Sequence, residues 1–384
     1  MAIFDPKTIP LSLYIHMPWC VRKCPYCDFN SHAVPDGKLT LDLEQEYLHA
    51  LVEDFKTQLD FAQGRPIHSI FIGGGTPSLI SAQGYLWLFA QLRHLLPFQS
   101  DCEITLEANP GTVEHDPFAD YLQAGINRLS IGVQSFHSEQ LQRLGRIHGQ
   151  QDALSAIQQA KAAGFQCINV DLMHGLPEQT VEQALTDLQL AVEAGATHIS
   201  WYQLTIEPNT VFFRTQPLLP SDEVLEDIQE QGEAYLKAHG FVNYEVSAWR
   251  KERPSAHNLN YWQFGDYLAI GAGAHGKVTL PEGVYRFQKT RLPKDYLAKV
   301  PAEHLQFKPV TAEELPFEFM MNALRLNDGV DAQLYAQRTG LDLADLDQVL
   351  TSLRQRKLLV DDPQRLACTE QGHVFLNSVL EEFL

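Results

Sequence analysis

Leu11-Ser-Leu-Tyr-Ile-His-Met-Pro-Trp-Cys20-Val-Arg-Lys-Cys24-Pro-Tyr-Cys27 runs from an apolar, strand-like stretch straight into three cysteines spaced four and three residues apart. The same arrangement, a strand followed by a special loop, recurs at residues 67–72, which lead into Gly73-Gly74-Gly75-Thr76-Pro77. Outward from these two, short β-branched runs at residues 102–107, 126–131, 165–172 and 197–204 are each followed by a longer stretch of helical periodicity. Alternation of this kind predicts an α/β fold with a parallel sheet. Gly125, Gly164, Gly195 and Gly240 each close a helical stretch just before a new strand and so mark the repeating unit. Six such units, with a further strand at 241–247, fall short of a closed eight-fold barrel. The expectation is a partial, open parallel βα barrel, with a doubly wound sheet as second choice.

The composition is compatible with that size of core. The chain has 384 residues with 45% hydrophobic content, enough for one large domain and a smaller second one. Its formal charge of −19 disfavours nucleic acid as a partner, since that binding rests on clustered Lys and Arg. No stretch approaches the roughly 18 uninterrupted apolar residues of a membrane span, and the first residues lack the pattern of a secretion signal. Six cysteines are too few for a disulfide scaffold, and three of them are crowded together in a metal-type spacing. A reducing, cytoplasmic setting follows as an expectation. Cys102 and Cys167, in strand-like runs, read as small buried hydrophobes.

In both barrels and doubly wound sheets, ligands sit at the carboxyl ends of the strands. There this chain collects its cysteine loop, its glycine strip, Glu107 and Asn109, Gln134, Asp171, and Tyr202 with Gln203. A 4Fe-4S cube normally takes four thiolates. Three leave one iron open to another ligand, as a catalytic zinc site keeps a position open for its substrate. Arg22 and Lys23 offset the thiolate charge. The alternative is a structural zinc, with His16 or His32 as the fourth ligand. Glycines after a strand let backbone N–H and C=O groups approach a ligand with no Cβ in the way.

The cysteine loop and glycine strip together resemble the radical S-adenosylmethionine (SAM) superfamily. The likeness extends, over nearly the whole chain, to the branch that contains the oxygen-independent coproporphyrinogen III dehydrogenase. It is carried by Tyr14 to Cys20, Phe71 to Ser78, Thr105-Leu-Glu107-Ala-Asn-Pro110, Ser130-Ile-Gly-Val-Gln134, Leu144-Gly-Arg146-Ile-His148 and Asn169-Val-Asp171. The resemblance implies a 4Fe-4S cluster on Cys20, Cys24 and Cys27. It also implies SAM contacts from Tyr14, Tyr26, Gly74, Gly75, Thr76, Glu107, Gln134, Arg146 and Asp171. These residue types suit the task, with acids for ribose hydroxyls or the SAM ammonium and Arg146 for a carboxylate.

The chain departs from that dehydrogenase in two places. The enzyme has a further cysteine two positions after the third motif cysteine, where this chain has Phe29, and a longer N-terminal segment at its substrate site. Coproporphyrinogen decarboxylation is therefore not expected. In its place stands His257-Asn-Leu-Asn-Tyr261-Trp262, a pattern similar to that of the heme chaperone HemW group in the same branch. That likeness implies heme as a ligand, His257 as its axial ligand, and an acceptor protein that receives the heme; imidazole is the ordinary axial ligand of heme iron. His275, His148 and His174 are the next histidines to consider. Two functions stay open: heme delivery supported by cluster and SAM, or a radical enzyme acting on a tetrapyrrole, with productive SAM cleavage undecided.

The expected domains are a partial barrel over 1–250, a connecting segment with the His-Asn-x-x-Tyr-Trp motif over 251–310, and a small α+β unit over 311–384. The last has three short helical patterns, a strand pair around Asp361-Asp362-Pro363 and a final amphipathic helix, an order like that of a winged helix. Asp342, Asp345 and Asp347 near its would-be recognition helix disfavour DNA and favour packing or docking.

Overall fold

Seven parallel strands form the centre of the molecule in the computed structural model, which describes residues 5–34, 38–111 and 116–384. The six expected strands are β1 (Leu11–Met17), β2 (Ile67–Gly74), β3 (Phe98–Ala108), β4 (Arg128–Gln134), β5 (Cys167–His174) and β6 (His198–Gln203). Their crossovers carry α1 (Leu41–Lys56), α2 (Ala82–Leu95), α3 (Phe118–Ala124), α4 (Gln150–Ala163) and α5 (Val181–Ala194), and α6 (Asp222–Ala238) follows β6. Strands covered on both faces read as near-continuous apolar runs. Accordingly Leu13, Ile15, Ile70, Ile72, Leu129 and Val170 are fully buried in one core with the helices. Gly164 ends α4 at φ 101, a left-handed value that costs other residues about 1 kcal/mol or more, and the chain turns there into β5.

After β6 the expected strand at 241–247 is a hairpin, β7 (Val242–Glu245) and β8 (Ala248–Arg250), in which β8 pairs antiparallel with β6. The chain then crosses to the opposite side of the sheet. The short helix α7 (Ala256–Trp262) leads into β9 (Asp266–Ile270), which lies parallel to β1. Three antiparallel strands extend it: β10 (His275–Leu280), β11 (Gly283–Gln288) and β12 (Gln306–Pro309). The full order is β12-β11-β10-β9-β1-β2-β3-β4-β5-β6-β8-β7, an open sheet. Residues 251–310, expected as a connecting segment, thus supply four of its strands.

Buried ion pairs fix β9 at both ends. At its start Asp266 accepts from Arg65 at 2.8 Å, Lys277 at 3.1 Å and the Thr279 hydroxyl at 2.8 Å. Just past its end Asp54, in α1, binds Lys289 at 2.5 Å, the Tyr296 hydroxyl at 2.7 Å and the Gly271 N–H at 3.1 Å. Removing one partner from such a pair costs roughly 3–5 kcal/mol.

The C-terminal unit has its own core of Phe319, Met320, Tyr335, Leu353 and Leu366, which includes Phe264 and Val284 and so seats the unit against the β9 side of the sheet. Val330–Asp331 pairs with Arg365–Leu366, and Leu359 bridges to Cys368. The final amphipathic stretch is two short helices, Glu370–Val374 and Leu376–Glu381. Cys102 and Cys368 are buried, whereas Cys167 is partly exposed. Among the described residues, no helix is long and apolar enough to cross a membrane.

Candidate functional site

The cysteine loop is held in place by backbone contacts. Behind β1 the pair Trp19–Cys20 lies beside His32–Ala33 and closes the loop at its base. The glycine strip at the end of β2 docks on that entry: Gly75 N–H donates to the Met17 carbonyl and Thr76 N–H to the Trp19 carbonyl, both at 2.6 Å. A Cβ on Gly75 would collide with the Trp19 carbonyl oxygen, so the strip can be this close only as glycine.

Cys20, Cys24 and Cys27 line one cavity of 320 Å³ together with Tyr26, Gly74, Gly75, Thr76, Glu107, Asn109, Gln134, Arg146, Asp171 and Tyr202. Burial pushes the Cys20 thiol up to about 11 and raises that of Cys27. Among the described residues, no three His, Cys, Asp or Glu side chains close on a point where a single metal ion could sit. A lone tetrahedral zinc would draw its thiolates to within about 4 Å of one another, given its short Zn–S bonds. A cube takes one thiolate per iron corner, and the three thiols line one shared cavity. Of the two histidines considered for zinc, His16 has both ring nitrogens engaged. His16 is bound by Tyr14 Oη and the Asn30 carbonyl, both at 2.9 Å, and His32 Nε2 by Asn30 Oδ1 at 3.2 Å.

Opposite the thiols the cavity is acidic. Glu107 is half-buried, accepts from Gly74 N–H at 3.1 Å, and has its pKa raised to about 8 by loss of hydration and then by the Asp171 charge. Asp171, raised by burial as well, accepts from Ser130 Oγ at 2.9 Å and Asn169 Nδ2 at 2.7 Å. Two carboxyls whose pKa values are raised by their surroundings favour a cationic ligand, which stabilises their ionised forms. Arg146 bridges the two sides, with Nη1 3.8 Å from Cys24 Sγ and Nη2 2.6 Å from both Asn109 Oδ1 and the Gly132 carbonyl. Gln134 receives the Tyr202 hydroxyl at 2.9 Å and sits at φ 69, a strained value for a non-glycine residue and one that clusters at functional sites. A ligand bearing an ammonium, a carboxylate and hydroxyls would find a partner for each here.

Tyr14 and His257 are not in this cavity. They line a neighbouring cleft of 910 Å³ with Phe71, Tyr261, Trp262 and Tyr267, and Phe29, Gly74 and Glu107 line both spaces. His257, in the first turn of α7, is fixed by its backbone N–H to Glu103 Oε1 at 3.2 Å. Its ring stacks on Phe71 at 4.5 Å and meets Tyr261 edge-on at 4.4 Å. Nδ1 is buried and has no hydrogen-bond partner, and burial lowers the pKa well below 6.5. A neutral imidazole with an uncommitted nitrogen is the form that ligates a metal. Of the other histidines named from sequence, His275 lines the cleft; His148 is bound to the Val133 carbonyl at 3.1 Å and His174 packs on Trp201 at 4.3 Å.

Ser130, Asn169 and Ser200 were missed in the sequence. Asn169 Nδ2 donates to Ser130 Oγ at 2.9 Å and Ser200 Oγ at 2.8 Å, so the three form a polar floor under Asp171. The available signal was a period of two: Ser130, Gly132 and Gln134, then Asn169 and Asp171, then Ser200 and Tyr202 interrupt apolar runs at alternate positions.

Comparisons with known proteins agree with this geometry. Residues 14–191 match the model of the radical SAM superfamily and residues 310–375 that of the HemN C-terminal domain. The chain is 50% identical to the heme chaperone HemW of Haemophilus influenzae, over 99% of each chain. To the heme chaperone HemW of Escherichia coli it is also 50% identical, over 98% of this chain and 99% of the relative. A mitochondrial radical SAM domain-containing protein 1 of Bos taurus is 36% identical over 99% of this chain and 88% of its own. In fold, the chain is similar to coproporphyrinogen III oxidase (HemN) from Escherichia coli, with a TM-score of 0.80 at 24% identity over 98% of this chain and 90% of that one.

Proposed function

Because the chain belongs to the heme chaperone HemW family of the radical SAM superfamily, we propose that it binds heme alongside a 4Fe-4S cluster and SAM and passes the heme to an acceptor protein. In this reading Cys20, Cys24 and Cys27 hold the cluster and leave one iron for SAM. Glu107, Asp171, Gln134, Arg146, Tyr26 and the strip Gly74-Gly75-Thr76 surround SAM in the cysteine cavity. The cluster and SAM, when bound, supply one-electron chemistry. The part of the chain's own residues is to exclude water, to offer two acids to a cationic ligand, and to hold Arg146 against Cys24. Tyr14, also named for SAM, lines the cleft beside Gly74 and Glu107 of the shared wall.

One observation carries the heme assignment: His257 is a neutral imidazole with a partnerless Nδ1, stacked on Phe71 in an aromatic cleft one wall away from the cysteines. Phe29 stands on that wall where the dehydrogenase has a cysteine, which supports delivery over decarboxylation. The formal charge of −19 supports a partner other than nucleic acid, and cysteines in metal-type spacing support a cytoplasmic setting. The match to residues 310–375 supports a boundary near 310, with 1–250 and 251–310 as one body and 311–384 as a packed unit.

The test is anaerobic reconstitution of the cluster, followed by heme titration, transfer to an apo-hemoprotein, and a coproporphyrinogen III assay on the same sample. Stoichiometric heme binding and release without porphyrinogen turnover is expected. Turnover of coproporphyrinogen without heme binding would establish the radical-enzyme alternative.

A further inference from the structure

Heme is an apolar plane with two propionate carboxylates on one edge, so a site that binds it also needs a place for that charge. Three cations that precede Arg291 closely in sequence are already committed. Arg286 binds the Tyr267 hydroxyl at 2.7 Å and also Glu318; Lys289 is paired with Asp54 at 2.5 Å; Lys277 is paired with Asp266 at 3.1 Å. Arg291, which lines the cleft, is different. Its backbone is pinned: Asn30 Nδ2 donates to the Arg291 carbonyl at 2.8 Å and to the Ala272 carbonyl at 3.0 Å, tying the segment to the end of the cysteine loop. Its guanidinium is exposed and makes no hydrogen bond or ion pair among the described residues. The other groups of the lining leave it the main source of positive charge. His16, His257 and His275 all have lowered pKa values, chiefly through burial, and are neutral at pH 7. Of the two acids, Glu107 is held largely protonated by its burial and Asp28 is exposed and unpaired. In a chain with 29 Lys and Arg against 48 Asp and Glu, an exposed guanidinium on a pinned backbone, with no carboxylate partner among the described residues, at the lip of an aromatic cleft points to an acid brought by the ligand.

We infer that Arg291 binds a propionate carboxylate of the heme, so that the macrocycle enters the cleft with its apolar edge inward, toward His257 and Phe71, and its carboxylates at the lip. This rests on the reading of the cleft as the heme site. The probes are heme and heme dimethyl ester, whose carboxylates are blocked, titrated into reconstituted full-length wild type, Arg291→Ala, Arg291→Lys and, as a control for general charge, Lys294→Ala. Arg291→Ala should lose about 10-fold or more in heme affinity, the scale of one charge-assisted contact, with Soret position and cluster iron as in the wild type. Arg291→Lys should recover part of the loss, and Lys294→Ala should show none. The ester should bind wild type and Arg291→Ala alike. Unchanged heme affinity in Arg291→Ala would overturn the inference, and so would an equal loss for heme and ester, which is the signature of a merely structural role. If His257→Ala binds heme as the wild type does, with an unchanged spectrum, His257 is not the axial ligand and the reading beneath this inference fails by itself.

Discussion

The cysteine cavity and the aromatic cleft share a wall of Phe29, Gly74 and Glu107, yet they are built in opposite ways. The cavity is made by consecutive parallel strands, each delivering polar side chains from its carboxyl end: Glu107 from β3, Gln134 from β4, Asp171 from β5 and Tyr202 from β6. The cleft takes Tyr14 from β1, Phe71 from β2, His257 from α7, Tyr267 from β9 and His275 from β10, residues that meet only because β9 returns to lie against β1. One site is polar and repeats with the strands, the other is aromatic and is closed by the last crossing of the chain. Two such sites should be separable by mutation except at the wall they share.

The largest effect is expected at the thiols. Cys24→Ala should lose nearly all cluster iron and sulfide after anaerobic reconstitution, because a second open iron leaves the cube labile, while heme binding in the cleft persists. Cys102→Ala and Cys368→Ala, at buried sites remote from the cavity, should keep full iron. Loss of heme binding along with the cluster would break the separation of the two sites.

A smaller effect is expected on the acidic side. Asp171→Asn keeps the shape but removes the charge, and the bonds from Ser130 and Asn169 are weakened with it. Affinity for SAM, measured by equilibrium dialysis, should fall about 10- to 100-fold, the range of one hydrogen bond to a charged group, with heme affinity unaltered. Equal loss of both ligands would mean that Asp171 supports the whole strand end.

Glu107, on the shared wall, should give the smallest change and the one that sharpens the comparison. With its pKa raised to about 8 by burial, the carboxyl is mostly protonated at pH 7, and Gln is close to an isostere of that form. Glu107→Gln should weaken SAM binding only by about 2- to 10-fold at pH 7 and also perturb the heme spectrum slightly. The sign of the pH dependence follows. A cationic ligand binds better to the ionised carboxylate, so wild-type SAM affinity should rise as pH passes upward through about 8, and Glu107→Gln should be flat over that window. A rise of equal size in the variant would assign the titration to another group.

The difference between the sites also explains what could be read from the sequence. The parallel strands, their order and their polar ends are local features: apolar runs, glycine caps and motifs within a few residues of a strand end. The six βα units could therefore be read directly, and the residues named for the cluster and SAM, Tyr14 apart, all line the cysteine cavity. Tyr14 sits inside β1 and lines the neighbouring cleft, where its hydroxyl meets His16 Nδ1 at 2.9 Å; a motif alone does not show which of two adjoining spaces a strand residue lines. The four strands after residue 251 could not be read, because the helix between β8 and β9 is only the seven residues of α7 and the pairings that define β9 are remote in sequence. What fixes β9, Asp266 with Arg65 and Asp54 with Lys289, joins residues about 200 or more positions apart. His257 was found through its local motif; its stacking partner Phe71, and Tyr267 and Arg291 elsewhere in the cleft, were not.

The central claim is that heme binds through His257 in a cleft distinct from the cluster site. Heme titration of reconstituted wild type and His257→Ala, with iron and sulfide measured on the same samples, tests it most directly. The wild type should give the absorption of histidine-coordinated heme, and His257→Ala should bind about 10- to 1,000-fold more weakly with an altered Soret band and full cluster iron. Unchanged affinity and an unchanged heme spectrum in His257→Ala would contradict the account.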